Sequence, residues 1–313
     1  MLESVPKAVF SGLAASPLLK RLASRFGMKR PGSFARRFVA GETFADAMAA
    51  TRAIEAQGLL TTLDLLGEGV SSVDAAAHAT AAYLTTIGEM SQAGVSRNIS
   101  IKLTQLGLDI DPATAIDNLR RVLDAAQKAD FFVRIDMEGS AYTTRTLETF
   151  ERVWAMGYRG TGVVIQSALR RSEADLRRIM ALGASVRLVK GAYREPMSMA
   201  YQRKSEVDAS YVTLMQILLT GGTPAAIATH DPNMIEQARQ IASSARVAPD
   251  RFEFQMLYGI RRDLQMALST AGYRMRIYVP FGTEWFPYFM RRLGERPANV
   301  GFVLRSLVSD RKA

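Results

Sequence analysis

The sequence predicts an α/β protein closed into a (β/α)8 barrel, preceded by N-terminal helices. Three observations predict it. Eight short β-prone runs recur along the chain, each followed by a helical pattern of about ten to twenty residues. Such alternation gives parallel strands with helices packed outside them. Polar residues end all eight runs, which are otherwise apolar enough to fill a barrel: Asp64 and Glu68, Lys102, Asp136 and Glu138, Gln166, Arg187 and Lys190, His230, Gln255, and Tyr278. In a barrel these ends share one mouth, where active sites are built. A doubly wound sheet is the runner-up. The glycine spacing of LLGEGVSS after the first run is wrong for its phosphate-binding turn.

The runs are 59–66, 98–103, 131–137, 162–166, 185–189, 225–229, 252–256 and 274–279, rich in Val, Ile, Leu and Phe. Helices are expected at 71–93, 112–128, 143–157, 172–182, 197–220, 232–244 and 260–271. An earlier helix covers 41–57, with Thr43 as its cap. The longest crossover helix, 197–220, keeps an apolar stripe at Val207, Tyr211, Leu214 and Leu218. The last helix, 283–295, is TEWFPYFMRRLGE. Thr283 is its expected cap, and Pro287 falls in the first turn, where a missing N–H is tolerated. Phe286, Phe289, Met290 and Leu293 make its core-facing stripe. Tyr288, Arg291, Arg292 and Glu295 fall together on another side.

Composition narrows the function. The chain has no cysteine and only two histidines, which excludes thiolate metal sites and makes a histidine zinc site improbable. No metal is expected. No apolar run reaches the roughly 18 to 20 residues of a membrane span, and no signal-peptide core opens the sequence, so a cytoplasmic protein is expected. The net charge of +10 is uneven. Residues 1–38 hold eight Lys or Arg against Glu3 alone, +7. Residues 1–37 are read as a basic, partly helical arm and 38–313 as the barrel domain. Such an arm suits an anionic membrane surface or nucleic acid, or is simply a solvated tail.

Local chemistry leaves alternatives. Arg291 and Arg292, with Tyr288 one turn back, can clamp a carboxylate or phosphate, because a guanidinium offers paired donors to two oxygens. They can equally be a solvated face. In LVKGAYREP, Lys190 and Arg194 supply charge and Gly191 allows close approach of a ligand to the backbone. A lysine such as Lys102 or Lys190 can also serve as the Schiff-base nucleophile of an aldolase. Asp136 is a candidate general base or a loop cap. His230, in THDP, is a candidate cofactor contact or a helix-start hydrogen bonder. His78 is expected on a helix surface, and Gly221 and Gly222 in a structural turn.

Taken together, LDLLGE, SIKLTQLG, RIDMEG, VIQSALRR, VRLVKGAYREP, ATHDP, FEFQMLYG, IYVPFG and YFMRRLGER resemble, in this order, the flavin-dependent proline dehydrogenases, in particular the bacterial monofunctional type. The resemblance runs from about Phe38 to Leu307 and leaves out residues 1–37. It implies a distorted (β/α)8 barrel of TIM type with FAD at the mouth. It implies oxidation of L-proline to Δ1-pyrroline-5-carboxylate, with electrons passed to a membrane quinone and a downstream pyrroline-5-carboxylate dehydrogenase. No nucleic-acid partner is expected, and the arm becomes a candidate for peripheral contact with an anionic membrane surface. Lys102, Arg291 and Arg292 would bind the carboxylate, and Leu188, Tyr278 and Tyr288 would pack round the ring. Asp136 sits at an active-site position. Gln166, Arg187, Val189, Lys190, Gly191, Tyr193, Arg194, Thr229, His230, Gln255, Arg292 and Glu295 would line the FAD site. Arg194 stands where larger bifunctional members carry an adenine-stacking tryptophan. Glu68 would form an ion-pair gate with Arg291. Tyr278 should disfavour 4-hydroxyproline, since a phenol on the ring leaves no room for a hydroxyl. A hydroxyproline dehydrogenase of the same fold is the nearest alternative.

Overall fold

A computed structural model describes residue 28 and residues 33–295. Eight parallel strands close into a barrel in sequence order. They are β1 (Leu60–Leu65), β2 (Asn98–Ile101), β3 (Phe132–Ile135), β4 (Thr161–Gln166), β5 (Ser185–Val189), β6 (Ala225–Ala228), β7 (Phe252–Leu257) and β8 (Arg274–Phe281). The ring closes where β8 lies parallel to β1, from Leu60 opposite Arg276 to Leu65 opposite Phe281. Around it lie α1 (Phe44–Glu55), α2 (Val73–Ala93), α3 (Pro112–Lys128), α4 (Ser140–Ala155), α5 (Ser172–Ala181), α6 (Lys204–Thr220), α7 (Pro232–Ser244), α8 (Arg262–Thr270) and α9 (Trp285–Glu295).

Local signals explain these boundaries. Thr43 caps α1 as expected, in a reciprocal box with Asp46. Asp111 caps α3 and Asp231 caps α7, each with proline in the first turn. Several helix starts shift by two or three residues from the sequence reading, that expected at 143 lying at Ser140 and that expected at 41 at Phe44, and one shifts further. The crossover helix begins at Lys204 rather than at 197. Residues 190–203 instead form an irregular loop, stapled by a bridge between Leu169 and Ala200. The Glu195 carboxylate accepts from Ser140 N at 2.7 Å and from the Ser140 hydroxyl, fixing that loop to the start of α4. The last helix begins at Trp285, so Thr283 lies in the turn before it.

Two cores hold the molecule together. The larger lies between barrel and helices. The smaller seats α9: Trp285, Phe286, Phe289 and Met290 pack with Met28, Ala35, Phe38, Val39 and Leu66. The Trp285 indole N–H donates to Glu42 at 2.8 Å. Arg36 donates to Met28 O and pairs with Asp46 at 3.1 Å. The described end of the basic arm is thus part of the seat of α9. The rest of the arm, and the membrane contact expected of it, lies outside the described residues. So does the side chain of Leu293.

The barrel interior carries charge in two tiers. Side chains two apart on a strand share a face, so Arg134, Glu253 and Arg276 form a lower tier beneath Asp136, Gln255 and Tyr278. Arg276 makes two hydrogen bonds to Glu253, at 2.8 and 3.0 Å, and a third to Thr61 O. Arg134 reaches across to Val163 O, Ser185 O and the Ser185 hydroxyl. That reach needs Gly162. A Cβ there would stand 2.5 Å from Arg134 Nη1 and 2.6 Å from Ser185 O. Gly162→Ala should therefore overpack the lower tier and lower unfolding free energy by about 1–3 kcal/mol. Chemical denaturation measures it; an unchanged midpoint would mean that Arg134 can vacate the space freely.

Candidate active site

A cavity of about 850 Å³ opens at the C-terminal ends of the strands, between barrel and α9. It is at the large end of small-molecule and cofactor sites. Its floor is the upper tier. Arg187 donates to Asp136 at 2.6 Å and to the Ser100 hydroxyl at 3.1 Å. The Tyr278 hydroxyl donates to the other Asp136 oxygen at 2.7 Å. One carboxylate thereby fixes a guanidinium and a phenol, and Arg187 lies 5.3 Å from the Tyr278 ring centroid. Beside them Lys102 donates to Asp64 at 2.8 Å. Burial works against the Lys102 ammonium, but Asp64 and then Asp136 hold its pKa well above that of ordinary lysine. Burial, then Asp136 and Asp64, pushes the Tyr278 hydroxyl well up.

The roof is α9. Its apolar stripe is anchored in the smaller core, which Tyr288 also joins, and Tyr288, Arg291 and Arg292 line the cavity. Arg292 stacks 5.2 Å from the Tyr288 ring centroid. Arg291 pairs with Glu68 through both guanidinium ends, one of these contacts being 2.9 Å. Burial acts against this guanidinium, but Glu68, with Tyr193 and Tyr288, raises its pKa. The ion pair expected from the sequence is present.

Along the cavity's other side, strands four to seven contribute polar groups. Gln166 Nε2 donates to Glu138 O, and Gln255 Nε2 donates to Glu253. Gly191, at φ +108°, has its Cα within about a side chain of Gln166: a Cβ would meet Gln166 Oε1 at 3.0 Å. Only glycine suits both that backbone angle and that approach. His230 Nε2 accepts from Leu257 N at 2.9 Å, which places the ring proton on Nδ1. Lys190 lines the cavity but is held by Asp208 at 2.6 Å and Asp231 at 2.9 Å. Lys204 joins the same carboxylates.

Most of the sequence-predicted residues come together here. Lys102, Asp136, Gln166, Arg187, Val189, Lys190, Gly191, Tyr193, Thr229, His230, Gln255, Tyr278, Tyr288, Arg291 and Arg292 all line the cavity. Leu188 does not. It is fully buried in the outer core, on the strand face opposite Arg187 and Val189. The leucine at the cavity is Leu257, two residues after Gln255 on the same face of β7. Arg194 is exposed in the loop after β5 and is not part of the lining. The Glu295 side chain lies outside the described residues. The sequence reading also missed Asp208 and Asp231, which neutralise Lys190. His78 is exposed on α2, as expected. No group of three or more metal-ligating side chains occurs among the described residues.

The residues fit a flavin dinucleotide. The cavity has the volume, the glycine gives close backbone approach, and two glutamines with anchored amides offer polar contacts suited to a heterocyclic ring. Lys190 and the N-terminus of α7 lie on the same wall, where Asp208 and Asp231 hold the lysine and Asp231 caps the helix.

Fold and site define a barrel with a large, cation-rich ligand cavity at its mouth, roofed by an arginine-bearing helix. A family model described as proline dehydrogenase matches residues 47–305, and the chain belongs to the proline dehydrogenase family. Proline dehydrogenase 2 of Bacillus subtilis (strain 168) is 37% identical over 303 residues, covering 97% of this chain and 99% of its own. Proline dehydrogenase of Deinococcus radiodurans is 36% identical over 312 residues, covering 98% and 99%. These alignments extend into residues 1–37, which the quoted motifs do not reach. Among solved structures, proline utilization A (PutA) from Bdellovibrio bacteriovorus inactivated by N-propargylglycine superposes with a TM-score of 0.79 at 26% identity, over 90% of this chain. This chain spans 34% of that PutA chain.

The bridging carboxylate yields a prediction. Asp136→Asn leaves the Arg187 cation buried without its partner, and breaking such a pair costs about 3–5 kcal/mol. The urea midpoint should fall accordingly. An unshifted midpoint would show that Ser100 alone suffices for Arg187.

Proposed function

We propose that this chain oxidises L-proline to Δ1-pyrroline-5-carboxylate with bound FAD. The observation that carries the reading is one cavity with Arg291, Arg292 and Lys102 at one end and the Arg187–Asp136–Tyr278 unit on its floor. Family membership and relatives named proline dehydrogenase support it. Three cations converge on the substrate carboxylate, and charge-assisted bonds fix its position. Tyr278, Tyr288 and Leu257 enclose the ring. Gln166, Arg187, Val189, Lys190, Gly191, Tyr193, Thr229, His230 and Gln255 would hold the flavin. The bound flavin supplies the hydride acceptor, N5. Asp136 keeps Arg187 and the Tyr278 phenol in place, so the protein contributes position and electrostatics. The substrate amine must react in its neutral form, because only that form has the lone pair that becomes the imine.

Glu68 acts as a gate. Its carboxylate is paired with Arg291, and an incoming carboxylate would compete for the same guanidinium. Electrons leave to a membrane quinone, the basic arm provides contact with an anionic bilayer surface, and a pyrroline-5-carboxylate dehydrogenase consumes the product.

The aldolase alternative fits less well. A Schiff-base lysine must be neutral to attack, whereas Lys102 is held charged and Lys190 sits between two carboxylates. A module that merely binds does not need the buried charges of the floor. Tyr278 lines the cavity, and a phenol packed on the substrate ring would leave little room for the hydroxyl of hydroxyproline.

Purified protein loaded with FAD should be yellow, and L-proline should bleach it without oxygen, while trans-4-hydroxy-L-proline does so much less efficiently. Failure to take up FAD, or a spectrum unmoved by proline, overturns the reading. Arg291→Met should raise KM for proline at least about tenfold, since a charge-assisted hydrogen bond is worth about 1.5–3 kcal/mol. Its flavin content should be unchanged. An unaltered KM would remove Arg291 from the clamp.

A further inference from the structure

Asp64 has no role in the reading above, yet it is among the most costly side chains of the barrel. It is 0% exposed on β1. Its Oδ1 accepts from Lys102 Nζ at 2.8 Å. Its Oδ2 is buried with no hydrogen-bond partner among the described residues. Burial drives its carboxyl up, against the pull of Lys102. A carboxylate so placed is retained against its desolvation cost, which asks for a reason.

Lys102 supplies the reason. It is 93% buried, with the part still open facing the cavity. An ammonium in that position gives up its proton unless a carboxylate stands against it. The surrounding elements offer several charges. From β1 comes Asp64, and from β3 Asp136, with Glu138 just beyond its end. From β5 comes Arg187, from β8 Tyr278 and from α2 Tyr83. Arg291 and Arg292 of α9 share the cavity, with Glu68 on Arg291. Asp136 is committed to Arg187 and Tyr278, and Glu138 to Thr104. The direct bond to Nζ comes from Asp64.

We propose that Asp64 is a positioning residue for substrate affinity: its buried carboxylate keeps Lys102 charged and turned to the cavity, so that binding of a carboxylate substrate stays level as pH rises. This rests on the carboxylate-binding role of Lys102 given above. The sign follows from linkage. With Asp64 in place, Lys102 titrates above the ordinary lysine range, so its charge persists through neutral and mildly alkaline pH. With the carboxylate replaced by an amide, burial is less opposed and Lys102 titrates lower. Affinity is then complete below the new pKa and lost above it.

Cyclopentanecarboxylate is the probe, because it has the proline ring and carboxylate but no amine to titrate. Its affinity for the FAD-loaded protein is measured by calorimetry from about pH 6.5 to 9.5, where the probe is fully ionised. The native protein and Asp64→Glu should give level profiles. Asp64→Asn should lose affinity with rising pH, approaching tenfold per pH unit above the new pKa. Lys102→Met should bind weakly at every pH. An Asp64→Asn profile as level as the native one overturns the proposal. A different result overturns the role of Lys102 itself: a Lys102→Met affinity equal to native. If Asp64→Asn does not fold, Asp64→Asn/Lys102→Met is compared with it. A folded double variant supports the proposal, since removing both charges rescues what removing one destroyed. An unfolded double variant overturns it by giving Asp64 a structural task apart from Lys102.

Discussion

Charges enclosed in the barrel must neutralise one another, and the rest of the structure depends on how they do so. Lys102, Arg134, Arg187 and Arg276 face Asp64, Asp136 and Glu253. A barrel interior is ordinarily filled by branched apolar side chains. Here each ion pair spans two strands, so the pairing also fixes which strand ends meet. Arg134 is the cation left with carbonyl and hydroxyl acceptors in place of a carboxylate. Burial and then Arg187 act against its charge. Since a guanidinium stays protonated, that repulsion is carried as strain on stability and is offset by several hydrogen bonds and by the space at Gly162. The upper tier is balanced within itself, and above it Arg291 has its own partner in Glu68.

Much of this was legible in the sequence. Alternating β-prone and helical patterns gave the barrel, and a polar residue at each strand end gave the mouth. The apolar stripe of α9 implied a core on one side and thus an arginine pair turned away from it. What was not legible was pairing. That Lys102 meets Asp64 depends on the register of β1 against β2, where Asp64 lies opposite Ser100, and no local pattern states that register. Asp208 reaches Lys190 from a helix, at a distance in sequence that carries no signal.

One error was avoidable. Leu188 was placed at the substrate ring because it sits inside the most specific motif. Its neighbours Arg187 and Val189 flank it, and strand alternation turns it to the opposite face. The same alternation, applied to FEFQML, carries Leu257 to the face of Gln255. The helix start expected at 197 fails for a different reason. That segment has helix-compatible residues, but its backbone is engaged by β-bridge and side-chain bonds to the neighbouring loop, and tertiary contacts override weak propensity.

The closure of β8 on β1 has a consequence for how the molecule comes to exist. The Arg276 bond to Thr61 O joins residues 215 apart in sequence, and contacts of such long range form late because loop-closure entropy precedes their reward. The cavity draws its floor from β2, β3, β5 and β8, and its roof from the helix that follows. Until the ring closes there is no pocket at all, only its separated halves. Capture of a ligand can therefore occur only in the closed ring, and by mass action the ligand stabilises that state alone. A ligand held between floor and roof would therefore join the two halves of the ring and raise the fraction of the chain that stays folded.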